Sequence, residues 1–239
     1  MSKVALITGA SGDIGQAIAK SLASHFSILY VHFYQNKRAV EELMKEMPDS
    51  VQCIPVQSDL SKPDGVEVLL HQIIHPIDCV IYNSGSSYYG LITDMLQTEV
   101  EEMVQLHTTS PFLLIQKLLS SMIRKKSGRI VIISSVWGIV GASCEVLYSM
   151  VKGSQISFVK ALAKEVAPSG ITVNAVAPGA IDTKMLYTFS EEEKEELKAE
   201  IPAGELGTPS DVAHAVAFLI SEHAHYINGQ VLSVNGAWY

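Results

Sequence analysis

The sequence has few cysteines and no long apolar run, and each shortage excludes a class of protein. Its three cysteines, Cys53, Cys79 and Cys144, are an odd number without C-x-x-C spacing. They fit a reduced, cytoplasmic protein better than a disulfide framework or a zinc site. No apolar stretch approaches the roughly 20 residues that a membrane-spanning helix needs. The N-terminus turns glycine-rich after one short apolar run, unlike a signal peptide. We therefore expect a cytoplasmic protein with no membrane partner and no metal site.

Basic residues are also scarce. Lys and Arg total 17 against 25 Asp and Glu, for a formal net charge of −8 and a pI near 5.5. The sequence shows no stripe of basic residues of the kind that nucleic-acid binding proteins carry, so we expect no nucleic-acid partner. The 239 residues are 48% hydrophobic and 18% charged. That length and composition predict one well-buried domain over residues 1–239.

Short apolar runs alternate with segments of helical period. The predicted strands are Val4–Thr8, Ser27–His32, Val51–Gln57, Ile77–Asn83, Arg129–Ser134, Ile171–Ala177 and Val231–Val234. Because they are almost continuously apolar, they should be buried on both faces, as in a parallel sheet. The predicted helices are Asp13–Ala23, Arg38–Met47, Lys62–Ile74, Thr98–Arg124, Val146–Ala167 and Ser210–Ser221, with a short charged helix in Ser190–Glu200. The alternation predicts an α/β, doubly wound, Rossmann-like sheet of about seven strands with helices on both faces.

A glycine-rich turn, Thr8–Gly15, joins the first predicted strand to the first helix. Glycines let the backbone approach a pyrophosphate, and a helix N-terminus offers free N–H groups and the positive end of its dipole. An ordinary tight turn would not need three glycines in seven residues. The predicted phosphate-binding residues are Gly9, Ser11, Gly12, Asp13, Ile14 and Gly15.

The end of the second strand predicts which nicotinamide cofactor binds. An acidic residue there would hold the ribose 2′-hydroxyl of NAD, but no carboxylate occurs before Glu41. Asn36, Lys37 and Arg38 follow the strand and are suited to a 2′-phosphate, although they are equally compatible with ordinary surface residues. NADPH (NADP) is therefore favoured over NADH.

Tyr148 and Lys152 stand four residues apart, on one face of a predicted helix. Ser135 lies thirteen residues before Tyr148, at the carboxyl end of a predicted strand, where open α/β sheets place their sites. Carbonyl reduction needs a hydride from a cofactor and a proton for the developing alkoxide. We expect Tyr148 to donate the proton, Lys152 to favour its ionised form, and Ser135 to hydrogen-bond the substrate oxygen.

These motifs resemble the short-chain dehydrogenase/reductase family over nearly the whole chain, and most closely its 3-oxoacyl-[acyl-carrier-protein] reductases. The matching stretches include Asn83-Ser84-Gly85, GITVNAVAPG and IPAGELGTPSDVAHAVAFL. The resemblance implies NAD(P)(H), usually a homotetramer, adenine held by Asp59, Asn83 along the cofactor, and Ile181 and Thr183 at the nicotinamide carboxamide. The implied cofactor-binding set further includes Leu60, Ser84, Gly85, Tyr148, Lys152, Pro178 and Gly179.

Two departures from the family pattern bear on the site. Asp13 stands where the family has its middle glycine, and its carboxylate would lie near a pyrophosphate of like charge; Gly12 replaces a frequently basic residue. His107 stands where the resemblance implies a catalytic asparagine. Pro111 has no N–H, so we expect the carbonyl of His107 to be free for a relay water. A proton-carrying His107 and a merely packing His107 both stay open.

Three functions remain open at this point. The first is reduction of a 3-oxoacyl thioester in fatty acid biosynthesis, with acyl carrier protein as the partner. The second is reduction of a 5-aminopentanone ketone on a modified lysine of elongation factor P. The stretch TGASGDIGQAIA, with Tyr82-Asn83-Ser84-Gly85 and Ser87-Tyr88-Tyr89-Gly90, resembles those reductases, and Glu145 is placed to meet an amine. The third is a catalytically silent NADP-binding regulatory protein. Met185, Leu186, Tyr187 and Phe189 are candidates for an apolar wall of the substrate pocket.

Overall fold

The computed structural model describes residues 3–186 and 189–239, with the backbone alone at Met185. Seven parallel strands form one sheet in the order β3-β2-β1-β4-β5-β6-β7. Their bounds are β1 Val4–Ile7, β2 Ile28–Phe33, β3 Gln52–Gln57, β4 Cys79–Tyr82, β5 Gly128–Ile133, β6 Ile171–Pro178 and β7 Val231–Val234. The predicted fold class, a doubly wound α/β sheet, is confirmed.

Helices cover both faces of this sheet. In the described residues they are α1 Asp13–Leu22, α2 Lys37–Lys45, α3 Gly65–Leu70, α4 Gln97–Val104, α5 Ser110–Lys125, α6 Trp137–Val140, α7 Val146–Val166, α8 Glu191–Glu200 and α9 Pro209–Ile220. None of these helices combines the length and apolarity that crossing a membrane requires. The tyrosine at position 187 and the Met185 side chain, both predicted in an apolar wall, lie outside the described part of the chain.

Successive residues of each central strand enter opposite cores. Ala5 and Ile7 of β1 pack with α1 and α9 on one face, whereas Val4 and Leu6 pack with α5 and α7 on the other. All eight residues of β6 are buried. Burial on both faces is the physical reason that these strands read as continuous apolar runs.

The strand order reverses between β1 and β4, which both end at the same edge. The Thr8 hydroxyl oxygen, just beyond β1, accepts the backbone N–H groups of Asn83 and Ser84, each at 3.0 Å. Crevices at such a reversal are the usual ligand sites of open α/β sheets. The glycine turn and the Asn83-Ser84-Gly85 segment therefore meet in one crevice.

Two predicted helices differ from the structure because of proline. The predicted helix Thr98–Arg124 is divided into α4, a π-helical turn Gln105–Thr109, and α5. Pro111 has no N–H to donate, and the N–H of Ser110 bonds to the Gln105 carbonyl, which widens the turn. The predicted helix Lys62–Ile74 is shortened at both ends to α3. Pro63 disfavours helical backbone at the residue before it, which accounts for the loss of Lys62 from the helix.

Candidate active site

Backbone geometry and steric crowding require glycine at two of the three glycine positions of the glycine turn. Gly9 adopts a φ of +65°, which side-chain-bearing residues rarely adopt. A Cβ on Gly15 would overlap the Gly9 carbonyl oxygen and approach Ala10 Cα to 2.8 Å. At Gly12 the nearest atom to such a Cβ, again the Gly9 oxygen, is 3.5 Å away. Gly9 and Gly15 are thus required by the turn, and Gly12 is not.

A buried histidine that the sequence analysis passed over holds this turn in place. His32 Nδ1 accepts the N–H of Gly9 at 3.1 Å, and the His32 carbonyl accepts the N–H of Ala10 at 2.8 Å. On its other side His32 Nε2 lies 3.1 Å from the Ser58 carbonyl oxygen, to which it donates. Burial lowers the pKa of His32 to about 4, so the ring is neutral at physiological pH and can accept at Nδ1. The sequence signal was a polar residue in an otherwise apolar strand.

A cleft of about 610 Å³ opens in front of the turn. It is lined by the predicted residues Gly9, Ser11, Gly12, Asp13, Ile14, Gly15, Asp59, Leu60, Asn83, Ser84, Gly85 and Thr183. His32 and Tyr34 also line it. Asp59 Oδ1 accepts hydrogen bonds from the backbone N–H of Ser61 at 2.9 Å and from its hydroxyl at 2.6 Å. These residues form one continuous surface along the carboxyl edge of the sheet.

The residues predicted to meet a 2′-phosphate do not line this cleft. Lys37 pairs with Glu41 at 3.3 Å, and Arg38 pairs with Glu42 at 2.8 Å, along the exposed side of α2. Asn36 caps the same helix by accepting the N–H of Ala39 at 3.1 Å. Exposed ion pairs of this kind are weak and exchange readily with water.

The cleft fits a nicotinamide dinucleotide. Its volume is typical of cofactor sites. Gly12, the residue before α1, has no side chain that could cap the helix. The first backbone N–H groups of α1 could therefore bind a ligand. Gly9 and Gly15 lie close together and have no side chains, so their backbone atoms line the cleft. These residues would hold the pyrophosphate, with Asp59 and Leu60 at one end and Thr183 at the other.

Asp13, predicted to oppose the pyrophosphate charge, is engaged elsewhere. Its Oδ2 accepts the N–H of Lys184 at 2.8 Å, and its Oδ1 lies 3.8 Å from Lys184 Nζ. The carboxylate thus joins the start of α1 to the segment that follows Thr183, and Lys184 balances part of its charge.

Other predicted cofactor residues shape the wall near β6 rather than lining the cleft. The Pro178 carbonyl accepts the N–H of Val136 at 3.0 Å, next to Ser135. A Cβ on Gly179 would approach Asn235 Cβ to 2.9 Å, so glycine permits a close contact there. Ile181 is buried and pairs through its backbone with Gly207.

Ser135, Tyr148 and Lys152 come together as predicted. Ser135 follows β5 and is buried, and its hydroxyl oxygen accepts the Trp137 N–H at 3.2 Å. The Ser135 side chain also lowers the pKa of the Tyr148 phenol. Lys152, one turn further along α7, has its Nζ 5.5 Å from the centre of the Tyr148 ring.

The Lys152 ammonium is buried and has a backbone partner. Its Nζ donates to the Ile133 carbonyl oxygen at 2.8 Å. Burial lowers the pKa of Lys152 to about 7, because a charged amine loses its hydration there. The lysine can therefore gain or lose a proton near neutral pH.

Lys152, expected to lower the pKa of Tyr148, is not among the groups that shift that pKa in this geometry. Burial raises the pKa of the Tyr148 phenol, the negative charge of Glu145 raises it further, and only the Ser135 hydrogen bond opposes them. Lys152 lies beside the ring and bonds to a carbonyl instead. The phenol is therefore protonated at neutral pH, which is the form that a proton donor needs.

His107 is buried in the π-helical turn, against the same tyrosine. Its ring lies edge-on to that of Tyr148, with centroids 5.8 Å apart, and its Nε2 lies 2.9 Å from the Ser86 carbonyl oxygen. Burial and then the charge of Lys152 lower the pKa of His107 to about 3. A Cβ on Gly85 would approach His107 Cε1 to 2.8 Å, so glycine there makes room for the ring.

The His107 carbonyl is not free, contrary to the expectation from Pro111. Gln155 Nε2 donates to it at 2.8 Å, in a fully buried contact. The sequence analysis missed Gln155, which lies three residues after Lys152 on α7. His107 Nδ1 and Gln155 Oε1 are buried without a hydrogen-bond partner among the described residues. A side-chain amide thus occupies the carbonyl expected to bind a relay water.

The fold and this cleft define a nucleotide-dependent oxidoreductase, and the comparisons give the family. A family model described as enoyl-(acyl carrier protein) reductase matches residues 9–238. The chain belongs to the short-chain dehydrogenase/reductase family and is an enzyme.

Its relatives match along the full length. It is similar to an uncharacterised oxidoreductase, YmfI, of Bacillus subtilis strain 168, with 55% identity over 100% of both chains. It is 39% identical to the 3-oxoacyl-[acyl-carrier-protein] reductase FabG of Aquifex aeolicus, over 99% of this chain and 97% of that one. Among solved structures, angucycline C-6 ketoreductase LanV with bound NADP superimposes with a TM-score of 0.93, at 29% identity over 99% of this chain and 95% of that one.

Proposed function

We propose that this chain reduces a ketone to a secondary alcohol with NADPH. The observation that carries the proposal is the position of buried Lys152, with its Nζ 5.5 Å from the centre of the Tyr148 ring, next to the dinucleotide-sized cleft. The bound NADP of the LanV ketoreductase and the absence of a carboxylate at the end of β2 support NADPH over NADH.

When bound, NADPH would supply the hydride for the carbonyl carbon. The Ser135 hydroxyl hydrogen-bonds the carbonyl oxygen, where negative charge develops. Tyr148 donates its proton to that oxygen, which completes the alcohol and leaves a phenolate. Lys152, at a pKa of about 7, stabilises the phenolate when protonated. His107 is neutral and positions the Tyr148 ring rather than exchanging protons.

The first candidate substrate is a 3-oxoacyl thioester on acyl carrier protein. The relatives named 3-oxoacyl-[acyl-carrier-protein] reductase, at 35–39% identity, support it, and they extend the proposal to fatty acid biosynthesis. An acidic carrier needs basic docking residues. The candidate docking residues are Arg124, Lys125 and Lys126. Of these, Lys125 already forms an ion pair with Asp78 at 2.7 Å. The net charge of −8 further disfavours an acidic partner.

The second candidate is the 5-aminopentanone ketone on a modified lysine of elongation factor P. One observation favours it: the charge that raises the pKa of the proton donor is the carboxylate of Glu145, and a carboxylate suits an amine-bearing substrate better than an anionic one. We rank it ahead of the thioester on the charge of the site.

The experiment is a side-by-side assay of NADPH oxidation with 3-oxoacyl-acyl carrier protein, ketone-modified elongation factor P and a trans-2-enoyl thioester. We expect turnover with a ketone, none with the enoyl thioester, and none in a Tyr148→Phe control. Turnover of the enoyl thioester alone would contradict ketone reduction. Tight NADPH binding with no turnover of any carbonyl would favour the silent regulatory protein.

We further propose a cytoplasmic homotetramer. The exposed apolar side chains of Phe112 on α5 and Met150 on α7, 49% and 57% exposed, support burial against a second copy. Light scattering coupled to size-exclusion chromatography tests it; a monomer of 26.0 kDa would contradict it.

A further inference from the structure

The charged side chains that line the cofactor cleft are mostly acidic, although the ligand that it fits is an anion. The carboxylates that line it are Asp13, Asp59, Glu99 and Glu102. Of these, Glu102 is paired with Lys62 at 2.6 Å. Among the described residues of the lining, Lys184 is the one lysine or arginine. Proteins commonly bind phosphate groups with basic side chains as well as with backbone N–H groups. Lys184 is therefore the side chain in this lining that can supply such a charge.

Lys184 follows Thr183 and lies beside the start of α1. Its backbone N–H donates to Asp13 Oδ2 at 2.8 Å. Its ammonium group is held less firmly, because Nζ lies 3.8 Å from Asp13 Oδ1, which is beyond hydrogen-bonding distance, and the side chain is 64% exposed. The backbone of Lys184 is thus anchored at the glycine turn, whereas its ammonium group can exchange Asp13 for a ligand.

Asp13 provides that anchor. It is the first residue of α1, and its side chain is 24% exposed. A carboxylate in the first turn of a helix is stabilised by the helix dipole, but it repels a pyrophosphate bound at the same end of the helix. Here the same carboxylate holds Lys184 at that end, so a positive charge accompanies the negative one. The pairing with Lys184 therefore accounts for a carboxylate in a phosphate-binding turn.

We infer that Lys184 binds the pyrophosphate of the cofactor through its ammonium group, and that Asp13 is the positioning residue that holds Lys184 for this role. The inference rests on the proposed use of NADPH and adds a charged side chain to the backbone N–H groups of the glycine turn. Lys184 keeps its backbone bond to Asp13 while its ammonium group bonds to the phosphate oxygens. The pyrophosphate is common to NADPH and NADH, whereas Lys37 and Arg38 are proposed for the 2′-phosphate. Lys184 therefore contributes affinity without contributing to the choice of cofactor.

Fluorescence titration with NADPH and with NADH tests the role of Lys184. We expect Lys184→Gln to weaken the binding of both by about tenfold and by the same factor, because both carry the pyrophosphate. Lys184→Arg keeps the charge and should retain the wild-type affinity. Lys3→Gln is the matched control, because Lys3 is 63% exposed and lies 3.7 Å from the carboxylate of Glu222, and it should change neither affinity. Unchanged binding in Lys184→Gln would overturn the inference. A larger loss for NADPH than for NADH would also overturn it, by placing Lys184 at the 2′-phosphate.

Two variants of Asp13 separate positioning from charge repulsion. Asp13→Asn keeps an oxygen that can accept the Lys184 N–H and removes the charge, so NADPH should bind at least as tightly as to the wild type. Asp13→Ala removes the anchor and should weaken binding several-fold, with little further loss when it is combined with Lys184→Gln. Tighter binding by Asp13→Ala, which charge repulsion alone predicts, would overturn the positioning role, and so would fully additive losses in the double variant. Failure of the wild type to bind either dinucleotide would instead overturn the proposed function.

Discussion

Two regions outside the cleft lining are proposed to serve the reaction and the cofactor, a catalytic end at Ser135 and Lys152 and a ribose end at the start of α2, and they are built differently. At the catalytic end Ser135 and Lys152 are buried, and Lys152 donates to a backbone carbonyl at 2.8 Å. At the ribose end Lys37 and Arg38 are exposed and pair with neighbours on their own helix. Buried contacts hold one geometry, whereas exposed charges are screened and mobile. The proposed catalytic geometry is therefore fixed by the fold, whereas the proposed contribution of Lys37 and Arg38 to the choice of cofactor rests on weaker interactions.

The largest effect should come from the proton donor. Tyr148→Phe keeps the ring packing against His107 but removes the transferable proton, so turnover should fall by about 10²–10⁴-fold. NADPH affinity, measured by fluorescence titration, should be unchanged. Tyr226→Phe, at a 93% exposed position, is the matched control. A Tyr148→Phe enzyme with more than a tenth of the wild-type rate would refute the assignment.

The glycine turn joins the two ends, and two of its glycines should respond in opposite ways. Gly15→Ala forces a Cβ into the Gly9 carbonyl, which should cost about 1–3 kcal/mol of stability and weaken NADPH binding. Gly12→Ala meets only the 3.5 Å contact and should be nearly neutral. Urea unfolding and NADPH titration of both variants check this. Equal behaviour of the two would show that the turn adapts to a side chain.

The buried amine should make stability depend on pH. Lys152 has a pKa of about 7 in the folded protein and an ordinary value of 10.5 when unfolded. Between these values the unfolded chain binds the extra proton, so the free energy of unfolding should increase as the pH rises from about 7 toward 10. Lys152→Met should flatten this dependence and stabilise the protein at lower pH. A wild-type stability that decreases across this window would contradict the lowered pKa of buried Lys152.

The contact between Gln155 and His107 should matter more for packing than for proton transfer. Gln155→Leu leaves the His107 carbonyl unpaired in the core and should cost about 1–3 kcal/mol. His107→Asn should stay active, because a ring with a pKa of about 3 carries no proton at neutral pH. We expect its pH–rate profile to match that of the wild type between pH 5 and 8. Loss of an acidic limb near the ordinary histidine pKa of about 6.5 would give the imidazole a proton-carrying role.

The smallest effect should appear at the ribose end. Replacing Lys37 and Arg38 by Ala should reduce the preference for NADPH over NADH by only a few-fold, because exposed charges contribute about 0–1 kcal/mol each. The effect should shrink further at high salt. Calorimetric titration with both cofactors measures it. Tighter binding of NADH than NADPH by the wild type would reverse the proposed preference.

Local patterns predicted most of the fold and the proximity of Tyr148 and Lys152. The strands were predictable because burial on both faces leaves continuous apolar runs, and Tyr148 and Lys152 because four residues make one helical turn. The glycine turn was equally visible, since Gly9 and Gly15 are imposed by backbone sterics.

Long-range pairing was not predictable. The bond from Gln155 to the His107 carbonyl depends on how α7 packs on the π-helical turn, and the Asp13–Lys184 contact joins residues 171 positions apart. The role of His32 became visible only once β2 and the glycine turn were adjacent. Pro111 leaves the His107 carbonyl without its backbone donor, as expected, but the Gln155 amide that replaces that donor was not predictable.

The bonds from Asn83 and Ser84 to Thr8 also affect the order in which the molecule folds. They span 75 and 76 residues, and β1 pairs with β2 and β4 on its two sides. During synthesis the turn therefore lacks its far wall until more than a third of the chain has emerged. Contacts of such separation make folding slow, and a partly made sheet exposes unpaired strand edges. NADPH cannot stabilise the early folding intermediates, because the surface that would bind it forms only when the central strands have paired.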